Sequence, residues 1–422
     1  MKILFLNTSD KSGGAAIAAN RLMEALTKEG VEVSLLVKER NDFNNKKTVS
    51  CIHGGLGRFY SFIFFLWERL IIYLNNGFSK SALFKVSIAN KGIDISNHPL
   101  VKEADIIHLH WINQGFLSLR TIRKLIKTGK PIVWTMHDMW PLTSICHYSY
   151  ACDRFIKNCG HCPFLKSTQE KDLSYRVWKK KLFFNDTHIQ LIAVSTWLKS
   201  LSKQSSLTKK LSCRVIPNVL DNTVFCPGSD KTGIRSTLKI PMNKYIILMG
   251  AAKLNDPIKG MNFLIEALAL VPEQIKQNSM LILFGSVKND TGFLEKLPVP
   301  YFHFGLLQNN QQIAQLYQAA DVVIVPSLYE TFGQTIIEAM ACGCPAVSFN
   351  NSGQTDIIDH QTNGYLAEYK SAEDLANGIE WVLNHPDKEG LSAACVTKVR
   401  THYAEPVVAR QYIELYNSLL KK

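Results

Sequence analysis

A strand, a loop and a helix are predicted in that order by Asp321-Val-Val-Ile-Val-Pro-Ser-Leu-Tyr-Glu330-Thr-Phe-Gly-Gln-Thr-Ile-Ile-Glu338. The uninterrupted apolar run at its start is typical of a parallel strand that is covered on both faces. Gly333 lets the backbone approach a ligand closely. The free N–H groups at the start of the helix, near Gln334 and Thr335, suit a phosphate. This stretch therefore indicates an α/β fold with an anion site at the end of a strand.

Two carboxylates frame this loop. Glu330 lies in the loop, and Glu338 lies eight residues later, two turns into the predicted helix. Both side chains can face one ligand, and ionised carboxylates accept hydrogen bonds from sugar hydroxyl groups. Two solvated glutamates are an equally good interpretation on spacing alone, because glutamate is a common surface residue.

Strands alternate with amphipathic stretches along the whole chain. The apolar runs that predict strands are Lys2–Leu6, Glu32–Val37, Ile106–His110, Ile132–Thr135, Leu191–Val194 and Cys213–Ile216 in the first half, and Tyr245–Met249, Met280–Phe284, Tyr301–Phe304, Val322–Val325 and Ala346–Phe349 in the second. The alternation predicts two Rossmann-like, doubly wound α/β domains. Their expected bounds are 1–220 and 221–400, and the Pro- and Gly-containing segment Pro217–Pro241 is the predicted linker. Ligands of such domains bind at the carboxyl ends of the strands, so the cleft between the domains is the expected site.

The composition is that of a globular protein, with 46% hydrophobic and 20% charged residues among 422. It excludes a largely disordered chain, and the formal charge of +13 favours anionic partners. The apolar run Ile3–Leu6 is shorter than the roughly 7–15 residues of a secretory signal. Glu68 and Arg69 interrupt the longest apolar stretch, Phe59–Leu74, whereas a spanning helix needs about 20 mostly apolar residues. We expect a soluble or peripheral cytoplasmic protein.

The eighteen residues from Glu330 to Val347 resemble the signature of retaining glycosyltransferases of family four, which have the GT-B fold. They read Glu330-Thr-Phe-Gly-Gln-Thr-Ile-Ile-Glu338-Ala-Met-Ala-Cys-Gly-Cys-Pro-Ala-Val347, and the signature has two glutamates separated by seven residues, followed by Glu-Ala-Met-Ala-x-Gly-x-Pro-Val. The resemblance implies that Glu338 holds the nucleotide ribose. It implies that the donor sugar and diphosphate are held by Glu330, Phe332, Gly333, Gln334 and Thr335. It also implies two domains that face each other across a cleft, with a C-terminal helix in 401–422 that crosses back to the first domain.

A loop after another predicted strand carries two lysines. Gly250 ends the run Tyr245–Met249, and Lys253 and Lys259 follow it. Two ammonium groups beside a diphosphate would stabilise the charge that develops as it leaves, and two solvated lysines are the alternative. The family usually has Arg and then Lys in a loop one residue shorter. Lys253 thus replaces an Arg, and the two side chains are not equivalent at a bidentate phosphate site.

Two positions in the first half suit a ligand. Gly13 and Gly14 follow the first strand and open the first helix, where backbone N–H groups face an anion. This turn is neither a Walker loop nor a full G-x-G-x-x-G motif, but it resembles the family's glycine loop near the donor phosphate and the acceptor. His137 follows the strand Ile132–Thr135. A lone histidine is more often packed or solvated, yet the family has a histidine here that faces the donor sugar.

The resemblance implies sugar transfer without a catalytic metal. Lys253, Lys259 and helix N-termini would take the metal's place at the diphosphate of a UDP- or GDP-sugar. The acceptor hydroxyl would enter on the side of the leaving group, and a diphosphate oxygen would take its proton. Glu330 would position the sugar and is not assigned as a nucleophile. A paired-carboxylate hydrolase needs two carboxyl groups about 5–10 Å apart that flank one bond, whereas the resemblance implies that Glu330 and Glu338 contact different parts of the donor.

Four cysteines cluster shortly after His137, at Cys146, Cys152, Cys159 and Cys162. Four thiolates can close a tetrahedral structural zinc site, although this spacing is not that of a standard zinc finger. The histidines beside them, at positions 147 and 161, are reserve ligands. Reduced structural thiols are one alternative, and an internal disulfide is another that the cytosol disfavours.

The segment Arg58–Tyr73 is rich in aromatic residues and has basic residues before and after it. It predicts either a helix in a bilayer interface or a buried helix of the first domain. Bacterial enzymes of this class often extend lipid-linked sugars at the inner face of the membrane. We therefore expect a glycan or lipid-linked acceptor in capsule, O-antigen or exopolysaccharide synthesis, with an anionic membrane surface as a candidate partner.

Two other function classes compete with this interpretation. An epimerase or a phosphorylase shares the fold, and the absence of a pyridoxal-lysine context argues against the phosphorylase. A nucleic-acid-binding protein suits the positive charge, but the sequence lacks a recognition helix or a basic stripe interleaved with aromatic residues. We therefore expect no nucleic-acid partner and favour a glycosyltransferase.

Overall fold

The computed structural model describes residues 1–52, 54–81, 83–167, 169–287 and 291–421. The chain divides into two compact units. One contains Met1–Pro217 together with the chain from Ala409 onward, and the other contains Asn218–Val408. The last helix begins in the second unit and continues into the first, so Tyr412 and Tyr416 pack within the first unit.

The first unit is built on a parallel sheet of seven strands. Its elements are β1 Lys2–Ser9, α1 Gly14–Lys28, β2 Glu32–Glu39, β3 Thr48–Ser50, α2 Gly54–Asn75, α3 Pro99–Glu103, β4 Ile106–Leu109, α4 Leu119–Ile126, β5 Ile132–Met136, α5 Leu173–Lys181, β6 Gln190–Ala193, α6 Thr196–Gln204 and β7 Cys213–Val215. The strand order is β3-β2-β1-β4-β5-β6-β7. Every residue of β1 except the first is buried, because helices cover both faces of a parallel sheet.

The second unit repeats the plan with a parallel sheet of six strands. Its elements are α7 Lys231–Thr237, β8 Tyr245–Lys253, α8 Met261–Leu270, α9 Glu273–Gln277, β9 Ser279–Ser286, β10 Tyr301–His303, α10 Asn310–Ala319, β11 Val322–Val325, α11 Gln334–Ala341, β12 Ala346–Phe349, β13 Gly364–Ala367, α12 Ala372–Leu383, α13 Lys388–His402 and α14 Glu405–Leu420. The order is β10-β9-β8-β11-β12-β13. Counted from the first strand of each unit, both sheets follow the Rossmann order 3-2-1-4-5-6.

The prediction of two doubly wound α/β domains is confirmed, and all eleven predicted strands exist. The sequence pattern missed β3 and β13. Each has only three or four residues at a sheet edge and is half exposed, so neither produces an apolar run. Among the described residues, no helix is both long enough and apolar enough to cross a membrane.

Candidate active site

A crevice is expected in the second unit where the strand order reverses, between the carboxyl ends of β8 and β11. The loop after β8 supplies Lys259, and the loop after β11 supplies Glu330. Lys259 Nζ lies 2.6 Å from Glu330 Oε1. Their side chains are 30% and 16% exposed, so solvent screens this ion pair less than a surface pair. The two residues predicted for diphosphate and sugar are therefore direct neighbours.

The Glu330 backbone is held on both sides. Its N–H donates to Ser352 Oγ at 3.0 Å, and its carbonyl accepts from Gly353 N at 2.8 Å. The loop after β12 thus supports the loop after β11. These two hydrogen bonds hold the backbone from which the Glu330 carboxylate extends.

Gly333 forms the start of α11 and has a φ of +121°. A Cβ at this position would lie 3.1 Å from Ile336 Cδ1 and 3.2 Å from Ile357 Cδ1. The backbone conformation therefore favours glycine, and a Cβ would in addition press against the ends of two isoleucine side chains. Gln334 and Thr335 occupy the first turn of α11, where N–H groups lack partners within the helix. That this turn binds an anion stays a prediction.

Glu338 lies on α11, where its carboxylate meets a tyrosine. Tyr317 Oη donates to Glu338 Oε2 at 3.2 Å. Tyr317 belongs to α10 and is buried, so its hydrogen bond restricts the orientation of the Glu338 carboxylate. The sequence pattern missed Tyr317, because a tyrosine on the apolar face of a helix is usually a core residue.

Three other predicted residues of this unit have different surroundings. Lys253 is the exposed last residue of β8 and pairs in register with Ser286. A Cβ on Gly250 would lie 2.0 Å from Phe284 Cζ, which gives this glycine a packing role that needs no ligand. Phe332 is 2% exposed and packs edge-on against Tyr403. The Phe332 ring is therefore part of the core, and only its backbone is left for the predicted ligand contact.

The corresponding crevice of the first unit lies between the carboxyl ends of β1 and β4. Gly13 precedes α1 with a φ of +88°, and both Gly13 and Gly14 are exposed. The buried Asp10 carboxylate accepts hydrogen bonds from the backbone N–H groups of Asn41 and Asp42. It thereby ties the glycine turn to the loop after β2.

His137 follows β5 and belongs to a row of three imidazole rings. His137 Nε2 lies 2.9 Å from His110 Nδ1, and the rings of His110 and His108 stack at 4.3 Å between centroids. His108 in turn bonds Tyr416 and Thr135. Burial lowers the pKa of His137 to about 4 and lowers the pKa values of His108 and His110 well below 6.5. All three rings are therefore neutral near pH 7.

Asp138 anchors the next turn of the chain. His147 Nδ1 lies 2.5 Å from Asp138 Oδ2, and Trp111 Nε1 donates to the same oxygen at 2.8 Å. Burial alone would raise the pKa of the Asp138 carboxyl, but His147 and the hydrogen bonds hold it below its ordinary value. His147 Nε2 lies 3.0 Å from Ser87 Oγ, so both its ring nitrogens are occupied. The expectation that His147 is a reserve zinc ligand is therefore wrong.

The four clustered cysteines line one small cavity, and all four are free thiols: Cys146, Cys152, Cys159 and Cys162. Burial raises the pKa of Cys159 to about 11 and that of Cys162 to about 12. Within the described part of the chain, no group of three or more His, Cys, Asp or Glu residues is arranged to hold a metal ion. The structural zinc site stays a prediction that this arrangement does not support.

Family models match the two halves of the chain separately. Residues 12–224 match the model described as Glycosyltransferase Family 4, and residues 230–400 match the model described as Glycosyl transferases group 1. The first match spans half of the chain.

The alignments with related sequences cover only part of this chain and part of each relative. An uncharacterized glycosyltransferase of Methanocaldococcus jannaschii is 28% identical over 263 residues, which are 60% of this chain and 64% of that protein. A D-inositol 3-phosphate glycosyltransferase of Corynebacterium kroppenstedtii is 23% identical over 49% of this chain and 48% of that protein. The chain thus spans less than two thirds of these two relatives.

Solved structures match the chain from end to end. Sucrose-phosphate synthase from Thermosynechococcus elongatus aligns with a TM-score of 0.70 and 20% identity, over 100% of this chain and 99% of that one. HepE from Anabaena, in complex with UDP and glucose, aligns with a TM-score of 0.65 and 20% identity, over 99% of this chain and 100% of that one. WaaG, a glycosyltransferase involved in lipopolysaccharide biosynthesis, aligns with a TM-score of 0.65 and 15% identity, over 98% and 99%. At these identities the likeness concerns the fold, and the predicted GT-B architecture of two Rossmann-like domains is confirmed.

Proposed function

The chain belongs to glycosyltransferase family 4, and on that premise we propose that it transfers a sugar from a nucleotide sugar to a hydroxyl group of a glycan or lipid-linked acceptor. The configuration at the anomeric carbon is retained. The donor binds in the second unit, with its ribose on Glu338 and its diphosphate at the start of α11.

The observation that carries this proposal is the ion pair between Lys259 and Glu330. It puts a cation and a carboxylate at the switch point of the sheet, and Glu330 lies in the loop that leads into α11. A nucleotide sugar needs both groups within a short distance, since its diphosphate is anionic and its sugar hydroxyls donate hydrogen bonds. Tyr317 fits the same scheme, because its hydrogen bond orients Glu338 for the ribose.

In the reaction we propose, the bond between the anomeric carbon and the diphosphate oxygen breaks. The acceptor oxygen forms its bond on the same face, and a diphosphate oxygen takes the acceptor proton. Lys259, Lys253 and the start of α11 stabilise the negative charge on the departing diphosphate. Glu330 positions the sugar, and the role of His137 toward the donor stays a prediction from the family resemblance. No catalytic metal takes part in this scheme.

UDP is the first nucleotide to test, with GDP second. The structural neighbour HepE was solved with UDP-glucose, although its low identity to this chain makes the base a proposal. WaaG acts in lipopolysaccharide biosynthesis. By analogy we place this reaction in the cytoplasm, at the inner face of the membrane, in the assembly of a cell-surface polysaccharide.

A thermal-shift screen against UDP, GDP, ADP and their sugars tests the donor site. A ligand that binds only the native state raises its stability by about 2.7 kcal/mol at a hundredfold excess over Kd. We expect one nucleotide to raise the melting temperature of the wild-type protein, and Glu338→Gln to abolish most of that shift.

Glu266→Gln is the matched control, because Glu266 is an exposed glutamate on α8. It is expected to keep the wild-type shift. A folded protein that responds to no nucleotide, or a Glu338→Gln variant that responds like the wild type, would overturn the proposed donor site.

A further inference from the structure

Helix α2 exposes a continuous apolar stripe. Its members follow one another at intervals of four, three, four, three and four residues and are 38–75% exposed: Leu56, Tyr60, Ile63, Trp67, Leu70 and Leu74. This spacing keeps side chains on one side of a helix. Such a stripe normally faces the core of its own domain, whereas this one faces outward along all 22 residues of α2.

The opposite side of α2 buries two of its three charged residues, Glu68 and Arg69. Glu68 is fully buried, and its Oε1 accepts from the backbone N–H groups of Ile88 and Ala89 at 2.7 and 2.9 Å. Arg69 pairs with Glu68 Oε2 at 2.7 Å and donates to the Val86 carbonyl at 3.2 Å. Because breaking such a buried pair is strongly unfavourable, these bonds fix the rotation of the helix and hold the apolar stripe outside.

The apolar surface continues beyond the helix and is bordered by cations. Phe78 and Phe84 follow α2 and are 66% and 67% exposed. Arg58 lies exposed at the beginning of the helix, and Lys80 and Lys85 lie exposed after its end. The only acidic residue on α2 is the buried Glu68. Apolar and aromatic side chains flanked by cations are typical of helices that lie in the interface of an anionic bilayer.

A cavity of about 620 Å³ adjoins the first half of this helix. Phe62 and Phe65 of α2 form one wall, and Lys38, Arg40 and Arg58 supply positive charge around it. Glu39 is the one acid in its lining, and it already pairs with Lys38 Nζ at 3.0 Å. The cavity therefore combines an apolar wall with a net positive charge, as the phosphate end of a lipid requires.

We propose that α2 docks the protein on an anionic lipid bilayer, with its apolar stripe among the upper acyl chains and the adjoining cavity against the phosphate groups. A second copy of the chain is a poor occupant, because a helix pair of either direction would bring the cations at the helix ends together. The inference rests on the membrane location given under the proposed function and names the surface responsible for it. Bilayer binding through α2 requires neither a nucleotide nor an acceptor, so the failure of one proposal can be told from the failure of the other.

Co-sedimentation with vesicles tests this proposal, using phosphatidylcholine alone and phosphatidylcholine mixed with phosphatidylglycerol. The wild-type protein is expected to bind the mixed vesicles. The stripe variant Leu56→Gln, Phe59→Gln, Tyr60→Gln removes two members of the stripe and the adjacent Phe59, which is 58% exposed. It is expected to bind the mixed vesicles about tenfold more weakly or worse, because buried apolar area sets the strength of interfacial binding. The triple variant Arg58→Gln, Lys80→Gln, Lys85→Gln is expected to lose the preference for anionic vesicles.

A matched control replaces one leucine, one tyrosine and one phenylalanine of similar exposure in the second unit: Leu270→Gln, Tyr301→Gln and Phe302→Gln. It is expected to bind vesicles like the wild type. The depth of insertion is measured from the quenching of tryptophan fluorescence by lipids with brominated acyl chains. This quenching should decrease in Trp67→Phe. Melting curves with and without the nucleotide confirm folding and keep the donor site as a separate readout.

Three outcomes would overturn the proposal. One is a folded wild-type protein that binds neither vesicle. Another is equal loss of binding in the stripe variant and in the control. The third is a dimer in the absence of lipid that the stripe variant converts to a monomer, which would make a second copy the occupant of α2.

Discussion

At the scale of single residues, Lys259 and Glu330 depend on each other. The carboxylate holds the ammonium group at 2.6 Å, so each side chain is oriented before any ligand arrives. Binding energy is then not spent on ordering two flexible side chains. The proposed roles differ, since Lys259 serves the diphosphate and Glu330 serves the sugar.

This division of roles predicts different effects of two substitutions. Lys259→Met should weaken UDP binding about tenfold to a hundredfold, because a charge-assisted hydrogen bond contributes about 1.5–3 kcal/mol. Glu330→Gln should leave UDP binding nearly unchanged while weakening the UDP-sugar relative to UDP. Calorimetry with both ligands measures the two effects, and equal losses for UDP in both variants would contradict the division.

The imidazole row predicts that stability falls in mild acid. His137 has a folded-state pKa of about 4, below the ordinary 6.5, so the unfolded chain takes up a proton first as the pH falls. Between pH 6.5 and 5 this one group should cost about 1–2 kcal/mol of unfolding free energy. Urea unfolding at both pH values measures the loss. His137→Gln should reduce it, and an unchanged loss in that variant would refute the assignment.

Candidate site residues could be named from the sequence, but the contacts that their side chains make could not. Glu330, Glu338 and Lys259 follow strand ends in a specific pattern, and the topology brings strand ends together. Tyr317 escaped notice, and the contact between His110 and His137 could not be predicted, because the partners are distant in sequence. A tyrosine in a helix or a histidine in a strand carries no local sign of such a contact.

At the scale of elements, α11 depends on the glycine that precedes it. Gly333→Ala should lower the unfolding free energy by about 1–3 kcal/mol, the usual cost of a residue forced into a positive φ. Gly14→Ala provides the contrast, because a Cβ there meets nothing within 4 Å and its φ is not positive. It should change stability by no more than about 1 kcal/mol. Thermal unfolding of both variants is the measurement, and equal losses would contradict the argument.

The cysteine segment predicts unequal thiol reactivity. Cys159 and Cys162 have pKa values raised to about 11 and 12, and burial raises that of Cys146 further. Cys152 is the least buried of the four. Alkylation at pH 8, read by mass spectrometry, should therefore modify Cys152 about tenfold faster than the others. Four equally protected thiols together with one equivalent of zinc would show that the metal site exists after all.

The long buried strands of this fold could be predicted because both of their faces are covered by other elements, so their sequences are continuous apolar runs. The outward face of α2 could not, since the same apolar spacing fits a buried helix and an interfacial one. Only the tertiary contacts of Glu68 and Arg69 decide which side faces the domain.

At the scale of the whole molecule, two units with one strand order carry different proposed tasks. The second unit holds the donor residues, and the first contributes the imidazole row, the glycine turn and helix α2. The charge of +13 suits an anionic donor and an anionic surface alike. Sequence alone indicated anionic partners, but the location of the exposed cations around α2 required the structure.

The most direct test of the central claim is proton NMR of the sugar released from an α-linked nucleotide sugar, using the donor that the binding screen identifies. Slow hydrolysis in the absence of an acceptor should release the α-anomer first, before it equilibrates, because attack from the side of the leaving group retains the configuration. First appearance of the β-anomer would contradict a retaining glycosyltransferase.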